Sequence, residues 1–183
     1  MSRALAPLPA GLALLAFGAG IAAVTLLSLS ADDVSYTRTE FTARLALLLA
    51  APALVLYVLR GPPGPWWLSF WTAGLAAYWV HVWWAVVRTY QSDFAAIVAH
   101  QSWVAYTNAA VTLLWTLDVA VAWFLLPVRG TAAKALHVVT WAAVAVSFLA
   151  ASAVFRSGAV VWFGYALGAA LVIALATRLF AKE

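Results

Sequence analysis

Long apolar runs alternate with short polar or Pro- and Gly-rich segments along the whole chain. An apolar run of about 20 residues crosses a hydrocarbon core about 30 Å thick when it forms an α-helix, which rises about 1.5 Å per residue. Six runs approach that length, and they cover Leu8–Leu29, Phe41–Leu59, Trp66–Val87, Trp103–Leu126, Ala133–Phe155 and Ala159–Leu179. The pattern therefore predicts an all-α fold, a polytopic transmembrane helical bundle of six spans with short loops. We expect residues 1–183 to form a single transmembrane domain.

The composition excludes several classes of protein. Of the 183 residues, 67% are hydrophobic and 9% are charged, and the mean hydropathy is +0.99. A soluble domain has roughly 45–50% apolar and about 25% charged residues, so this chain has too few polar groups to cover a globule in water. An ordinary soluble domain, a disordered chain and a nucleic-acid-binding protein are therefore excluded. The absence of Cys also excludes disulfides, thiolate catalysis and Cys-ligated metal centres.

The basic residues indicate how the bundle is oriented. With six spans, six Lys and Arg residues fall on the side of the termini and four on the opposite side. The first group is Arg3, Arg60, Arg129, Lys134, Arg178 and Lys182, and the second is Arg38, Arg44, Arg88 and Arg156. Because Lys and Arg accumulate in cytoplasmic loops, we expect an integral protein of a bacterial cytoplasmic membrane with both termini in the cytoplasm. The first run is longer than the core of a secretory signal, so we expect it to be retained as a span.

Asp118 is the one acidic residue inside a predicted span. An acid within the membrane costs several kcal/mol unless it is paired or neutralised, which makes it a candidate functional residue. Asp118 lies about 8 residues, or ~12 Å, from the inner end of its span, and His137 lies about 4 residues, or ~6 Å, from the start of the next. These depths predict a buried polar pair of Asp118 and His137. Both a structural hydrogen bond or ion pair and a proton or ion relay are compatible with this pair.

A second group of polar residues is predicted near the outer surface. His81 lies in the outer half of the third span, and Arg88 follows seven residues later on almost the same helix face. The next segment contains Asp93 and His100, and the fourth span opens with Asn108 near its start. We interpret this outer polar cluster as a candidate ligand or metal site. The alternative is a polar network that ties the loop to the bundle.

The segment between the third and fourth spans has a helical pattern of its own. Phe94, Ile97 and Val98 recur at the spacing of one helix face, Ser92 is a candidate N-cap, and Asp93 suits the first turn. The pattern predicts a short helix that lies on the membrane surface.

The chain does not specify a cofactor. A metal and a pigment both stay open, and the His and Asp residues of the outer cluster are suitable ligands for a metal. A bis-His haem held by His81 and His137 is disfavoured, because these residues are predicted in opposite halves of the membrane.

Two features suggest where helices pack. Gly164 and Gly168 form a GxxxG pair on the sixth span, which we interpret as packing within the bundle in preference to a dimer contact. Some of the 11 Trp lie deep within spans, and their indole N–H groups must face protein, water or a bound molecule because hydrocarbon offers no acceptor.

Three classes of function fit the sequence. We favour a non-catalytic or accessory subunit of a larger membrane complex, which binds other subunits, lipid or pigment. The alternatives are a small proton- or ion-coupled transporter centred on Asp118 and a membrane metal or redox protein that uses His81, Asp93 and His100. No catalytic motif is present. The expected partners are membrane lipid and other membrane subunits or a second copy of the chain, and not nucleic acid.

Overall fold

The computed structural model describes residues 6–61, 64–124, 130–154 and 159–181. Within these ranges the secondary structure is entirely helical, with seven α-helices and no strand. The expectation of an all-α fold is therefore confirmed. The helices are α1 (Pro7–Ser28), α2 (Val34–Arg60), α3 (Pro65–Trp83), α4 (Phe94–Gln101), α5 (Trp103–Phe124), α6 (Thr131–Leu149) and α7 (Ala159–Phe180). Two of them continue as π-helix, α3 through Trp84–Thr89 and α6 through Ala150–Val154.

The helix starts correct two details of the sequence analysis. Helix α2 begins at Val34 and not at Phe41, because Asp33 caps it by accepting a hydrogen bond of 2.9 Å from the backbone N–H of Tyr36. The polar residues before the apolar run are thus helical and not a loop. Asp93, and not Ser92, is the N-cap of α4, since its carboxylate accepts from the N–H of Ala96.

Five of the helices are long and apolar enough to cross a membrane. They are Pro7–Ser28, Val34–Arg60, Trp103–Phe124, Thr131–Ala153 and Val160–Phe180. Helix α3 is not among them, although it has 19 residues. It carries five Trp and His81, and the polar N–H of each ring lowers the hydropathy of a helix that is otherwise apolar.

Helices α2 and α3 form the centre of the bundle. They pack against each other more extensively than any other pair. Small residues allow this close approach, since a Cβ added to Gly74 on α3 would lie 3.0 Å from the Cβ of Ala50 on α2. The side chains of Leu54, Trp71 and Trp115 are completely buried in the resulting core.

Helices α1 and α7 have long apolar faces that point away from the core. Leu14 and Leu15 on α1 are each 70% exposed, and Val172 and Ile173 on α7 are 68% and 65% exposed. A soluble protein does not expose aliphatic surface on this scale, whereas lipid tails cover it without cost. The helical bundle therefore has the surface of an integral membrane protein.

The two glycines of the GxxxG pair face α6 and its π-helical extension within the bundle. A Cβ on Gly164 would lie 2.6 Å from Oγ of Ser152 and 2.9 Å from the backbone nitrogen of Ala153, in the π-helical extension of α6. A Cβ on Gly168 would meet only Cδ2 of Leu149, at 3.7 Å. Gly164 thus allows α7 to approach the end of α6 closely, whereas Gly168 has room for a methyl group.

We predict that Gly164→Ala destabilises the bundle by ~1–3 kcal/mol, because the added methyl group must displace backbone atoms. Gly168→Ala is the matched control and should change stability by less than about 0.5 kcal/mol. Reversible unfolding by SDS in mixed micelles measures both. Equal stabilities of the two variants would contradict the packing of α7 described above.

Candidate functional site

The carboxyl group of Asp118 joins three helices. Asp118 lies on α5 and its side chain is completely buried. Its Oδ1 forms a hydrogen bond with Nδ1 of His137 on α6, and its Oδ2 accepts a hydrogen bond of 2.8 Å from the indole N–H of Trp71 on α3. The structure thus brings Asp118 and His137 together and adds Trp71 as a third member. Each carboxyl oxygen has a partner, which is what a buried acid requires in a low-dielectric environment. We call these three residues the Asp118 network.

Aromatic rings surround the Asp118 network. The ring of Trp67 meets His137 edge-on, with centroids 5.6 Å apart, and the rings of Trp71 and Trp115 lie 4.7 Å apart. The indole N–H groups of Trp67 and Trp115 are buried and have no hydrogen-bond partner among the described residues. This shell is therefore largely aromatic, and a low-dielectric shell of this kind strengthens the bonds to Asp118 and penalises any polar group left unpaired.

Most of the deep Trp residues donate to other helices. Trp79 on α3 donates to Oγ1 of Thr116 on α5 at 3.1 Å, and Trp123 on α5 donates to Oγ1 of Thr72 on α3 at 2.9 Å. Trp141 on α6 donates to the backbone carbonyl of Leu54 on α2 at 3.0 Å. The indole N–H groups thus hold the helices in register where lipid offers no acceptor.

A cavity of about 360 Å³ opens at the end of the bundle where α4 lies, and we call it the rim cavity. Residues of all the described helices except α1 border it. The described residues that line it are Tyr36, Thr39, Glu40, Ala43, Arg44, Leu47, Tyr78, His81, Thr89, Tyr90, His100, Gln101, Val104, Asn108, Val111, Val144, Ser147, Phe148, Ala151, Ser152 and Val160. Its lining thus combines charged and hydrogen-bonding groups with apolar and aromatic side chains.

The predicted outer cluster is only partly assembled at the rim cavity. His81, His100 and Asn108 line it. Arg88 and Asp93 are not among its lining residues, and both are exposed. Asp93 is used as the N-cap of α4. In the part of the chain that the structure describes, no group of three or more His, Asp or Glu side chains is placed to hold a metal ion.

Two hydrogen bonds and one ion pair fix the polar side of the rim cavity. Nδ1 of His81 lies 2.8 Å from the backbone carbonyl oxygen of Thr39, which links α3 to α2. The hydroxyl groups of Thr39 and Thr89 lie 2.9 Å apart. An ion pair of 2.8 Å joins Arg44 to Glu40 one turn apart on α2. These contacts hold the wall in place without filling the cavity.

Both π-helical segments contribute to the rim cavity. Thr89 belongs to the extension of α3, and Ala151 and Ser152 belong to the extension of α6. A π-helix is rare, and π-turns within α-helices frequently lie at functional sites. The two elements that depart from regular helix geometry therefore meet at the same cavity.

Comparisons of this chain with family models, curated proteins and solved structures found no match. Inferences about function therefore depend on the geometry of the Asp118 network and the rim cavity.

The sequence analysis missed the partner of Asp118 on α3 and the ion pair at the rim. One signal for Trp71 was present, because a deep indole N–H needs an acceptor and Asp118 is the one acid within a predicted span. The predicted span begins at Phe41, which puts Glu40 before the helix and Arg44 within it. Helix α2 in fact begins at Val34 and contains both residues. Their spacing of four residues would otherwise have suggested the pair.

We predict that Asp118 and Trp71 are energetically coupled. In a double-mutant cycle of Asp118→Ala and Trp71→Phe, the coupling should be about 1 kcal/mol, since hydrogen bonds within membrane proteins contribute ~0.6–1.7 kcal/mol. Unfolding in SDS mixed micelles measures the four stabilities.

Trp123→Phe provides the control for this cycle. Trp123 lies on the same helix as Asp118 but donates to Thr72. The loss of stability in Trp123→Phe should therefore add to the loss in Asp118→Ala without coupling. Coupling of equal size in both cycles would show that the effect is a general loss of packing and not the Asp118 hydrogen bond.

Proposed function

We propose that the protein crosses the membrane six times, with α3 as the third span. Helix α5 is apolar and long enough to cross, and α3 contacts it between Trp71 and Trp79. Three hydrogen bonds join the two helices, from Trp71 to Asp118, from Trp79 to Thr116 and from Trp123 to Thr72. Because bonded residues must lie at the same depth, these bonds support a position of α3 within the membrane.

Six spans would also determine the side of the membrane on which the termini and α4 lie. This arrangement puts both termini on one side, and the excess of Lys and Arg there supports a cytoplasmic location. It also puts α4 at the opposite surface, where an eight-residue helix too short to cross lies beside the mouth of the rim cavity.

We infer that the protein is a non-catalytic binding protein, an accessory subunit whose rim cavity holds a bound molecule. The observation that carries this inference is the cavity itself. Its volume of about 360 Å³ is within the range of ~300–1,000 Å³ that ligand sites occupy. Its mixture of an apolar wall with a few fixed polar groups is also typical of such sites.

A second candidate function is a proton- or ion-coupled transporter, which the buried pair of Asp118 and His137 favours. Asp118 does not line the rim cavity. Tyr78 at the cavity contacts the ring of Trp115, which in turn contacts the ring of Trp71, the partner of Asp118. Proton uptake by proteoliposomes that is lost in Asp118→Asn would support this candidate over a binding subunit.

The binding function is tested by isolating the protein from its native membrane in a mild detergent and weighing the intact complex by native mass spectrometry. We expect a bound molecule in a fixed ratio to the chain. Ser147→Phe should abolish this added mass, because the new ring occupies the rim cavity.

Val146→Phe is the matched control on the same helix, since Val146 is 65% exposed and does not line the cavity. It should retain the bound mass. A wild-type chain that carries nothing, or a bound mass that survives Ser147→Phe, would contradict the proposed function.

A further inference from the structure

The imidazole of His81 is held in one orientation at the rim cavity. Its Nδ1 lies 2.8 Å from the carbonyl oxygen of Thr39. A carbonyl oxygen can only accept a hydrogen bond, so Nδ1 carries the hydrogen. The neutral ring then presents Nε2 as an acceptor. Nε2 has no hydrogen-bond partner among the described residues, although His81 lines the cavity.

The surroundings of His81 are mainly apolar. Leu47, Val111, Val144 and Phe148 line the same cavity, and each of these side chains is buried. The ring of Tyr78 lies 5.6 Å from that of His81. A molecule that fills this space must therefore bring an apolar body together with a hydrogen-bond donor for Nε2.

The charges around the cavity indicate which polar group of the ligand is the donor to Nε2. An ammonium group would lose its hydration in a largely apolar cavity, which costs far more than the burial of a neutral hydroxyl group. An anion would need a cation whose charge is not already balanced, and the charge of Arg44 is balanced by Glu40, 2.8 Å away, although its buried Nε has no hydrogen-bond partner among the described residues. A neutral hydroxyl group fits an unpartnered imidazole acceptor better than either ion does.

We propose that the rim cavity binds a hydroxyl-bearing amphiphile, whose hydroxyl group donates to Nε2 of His81 and whose apolar body contacts Val144 and Phe148. This inference rests on the proposed binding function and specifies the chemical class of the ligand. The π-helical ends of α3 and α6 shape the two sides of the site.

The test uses 1-decanol as the probe and decyl methyl ether as a probe without a hydroxyl donor. Binding of tritiated 1-decanol to the purified full-length protein is measured by scintillation proximity. We expect saturable binding that Ser147→Phe abolishes. Unlabelled ether should compete about five- to tenfold less well than unlabelled decanol, since it cannot donate to Nε2.

Two substitutions separate the ligand contact from the contact with α2. His81→Asn places an amide N–H where Nδ1 lies and removes Nε2, so the bond to Thr39 is kept while decanol binding weakens about five- to tenfold. His81→Gln places its amide where Nε2 lies, so an acceptor is retained while the bond to Thr39 is lost. It should bind decanol more tightly than His81→Asn.

A measurement on the unmodified protein does not depend on how these variants fold. The chain has 3 His, so labelling with ¹⁵N-histidine gives a spectrum that is simple to assign. Decanol should shift the Nε2 resonance of His81 toward that of a hydrogen-bonded nitrogen, and the ether should not.

The outcomes distinguish the two levels of the proposal. Saturable binding at the cavity, with decanol and the ether equally effective and no shift at Nε2, overturns the hydroxyl contact but leaves the binding function intact. Absence of saturable decanol binding, or binding that persists in Ser147→Phe, overturns the amphiphile site, and the native mass measurement then shows separately whether the binding function stands.

Discussion

Hydrocarbon offers no hydrogen-bond partner, so a charged or polar group within the membrane is stabilised when the protein itself supplies the partner. Asp118 is the clearest case, because both of its oxygens are bonded to side chains from other helices. This requirement fixes α3, α5 and α6 relative to one another. It also explains the use of Trp in the bundle, since an indole buries a large apolar surface and brings one donor that can reach across to a neighbouring helix. Trp71, Trp79, Trp123 and Trp141 all use that donor.

The two polar regions of the bundle differ in how they are completed. Both oxygens of Asp118 have partners within the chain, and their bonds join helices. At the rim cavity the polar groups surround open space, and His81 retains an acceptor without a partner among the described residues. A carboxyl group with both oxygens bonded stabilises a fold, whereas a fixed polar group beside open space is suited to binding. This difference is the physical basis for our proposal that the rim cavity binds a ligand and that Asp118 has a structural role.

The apolar pattern was sufficient to predict the helices, but their ends and partners depended on interactions that no single helix contains. The predicted depths of Asp118 and His137 in two adjacent spans indicated that these residues form a pair, and the structure places them in contact. The start of α2 was missed because Asp33 extends the helix into polar sequence beyond the apolar run. Trp71 was missed because contact between α3 and α5 depends on how the whole bundle packs. Arg88 shares a helix face with His81 in a regular α-helix, but the π-helical turn after Trp83 changes that register, and Arg88 is exposed.

We propose that α3 crosses the membrane beside α5 and carries Trp71 to the depth of Asp118. The chain has no Cys, so single cysteines can be introduced without a background signal. Gly64→Cys precedes α3 and Ser92→Cys follows it, and intact cells can be treated with a maleimide that does not cross membranes. We predict that the cysteine at position 92 reacts from outside, whereas the one at position 64 reacts only after the membrane is permeabilised. Labelling of both positions from the same side would show that α3 does not cross, and the bond between Trp71 and Asp118 within the membrane would then be untenable.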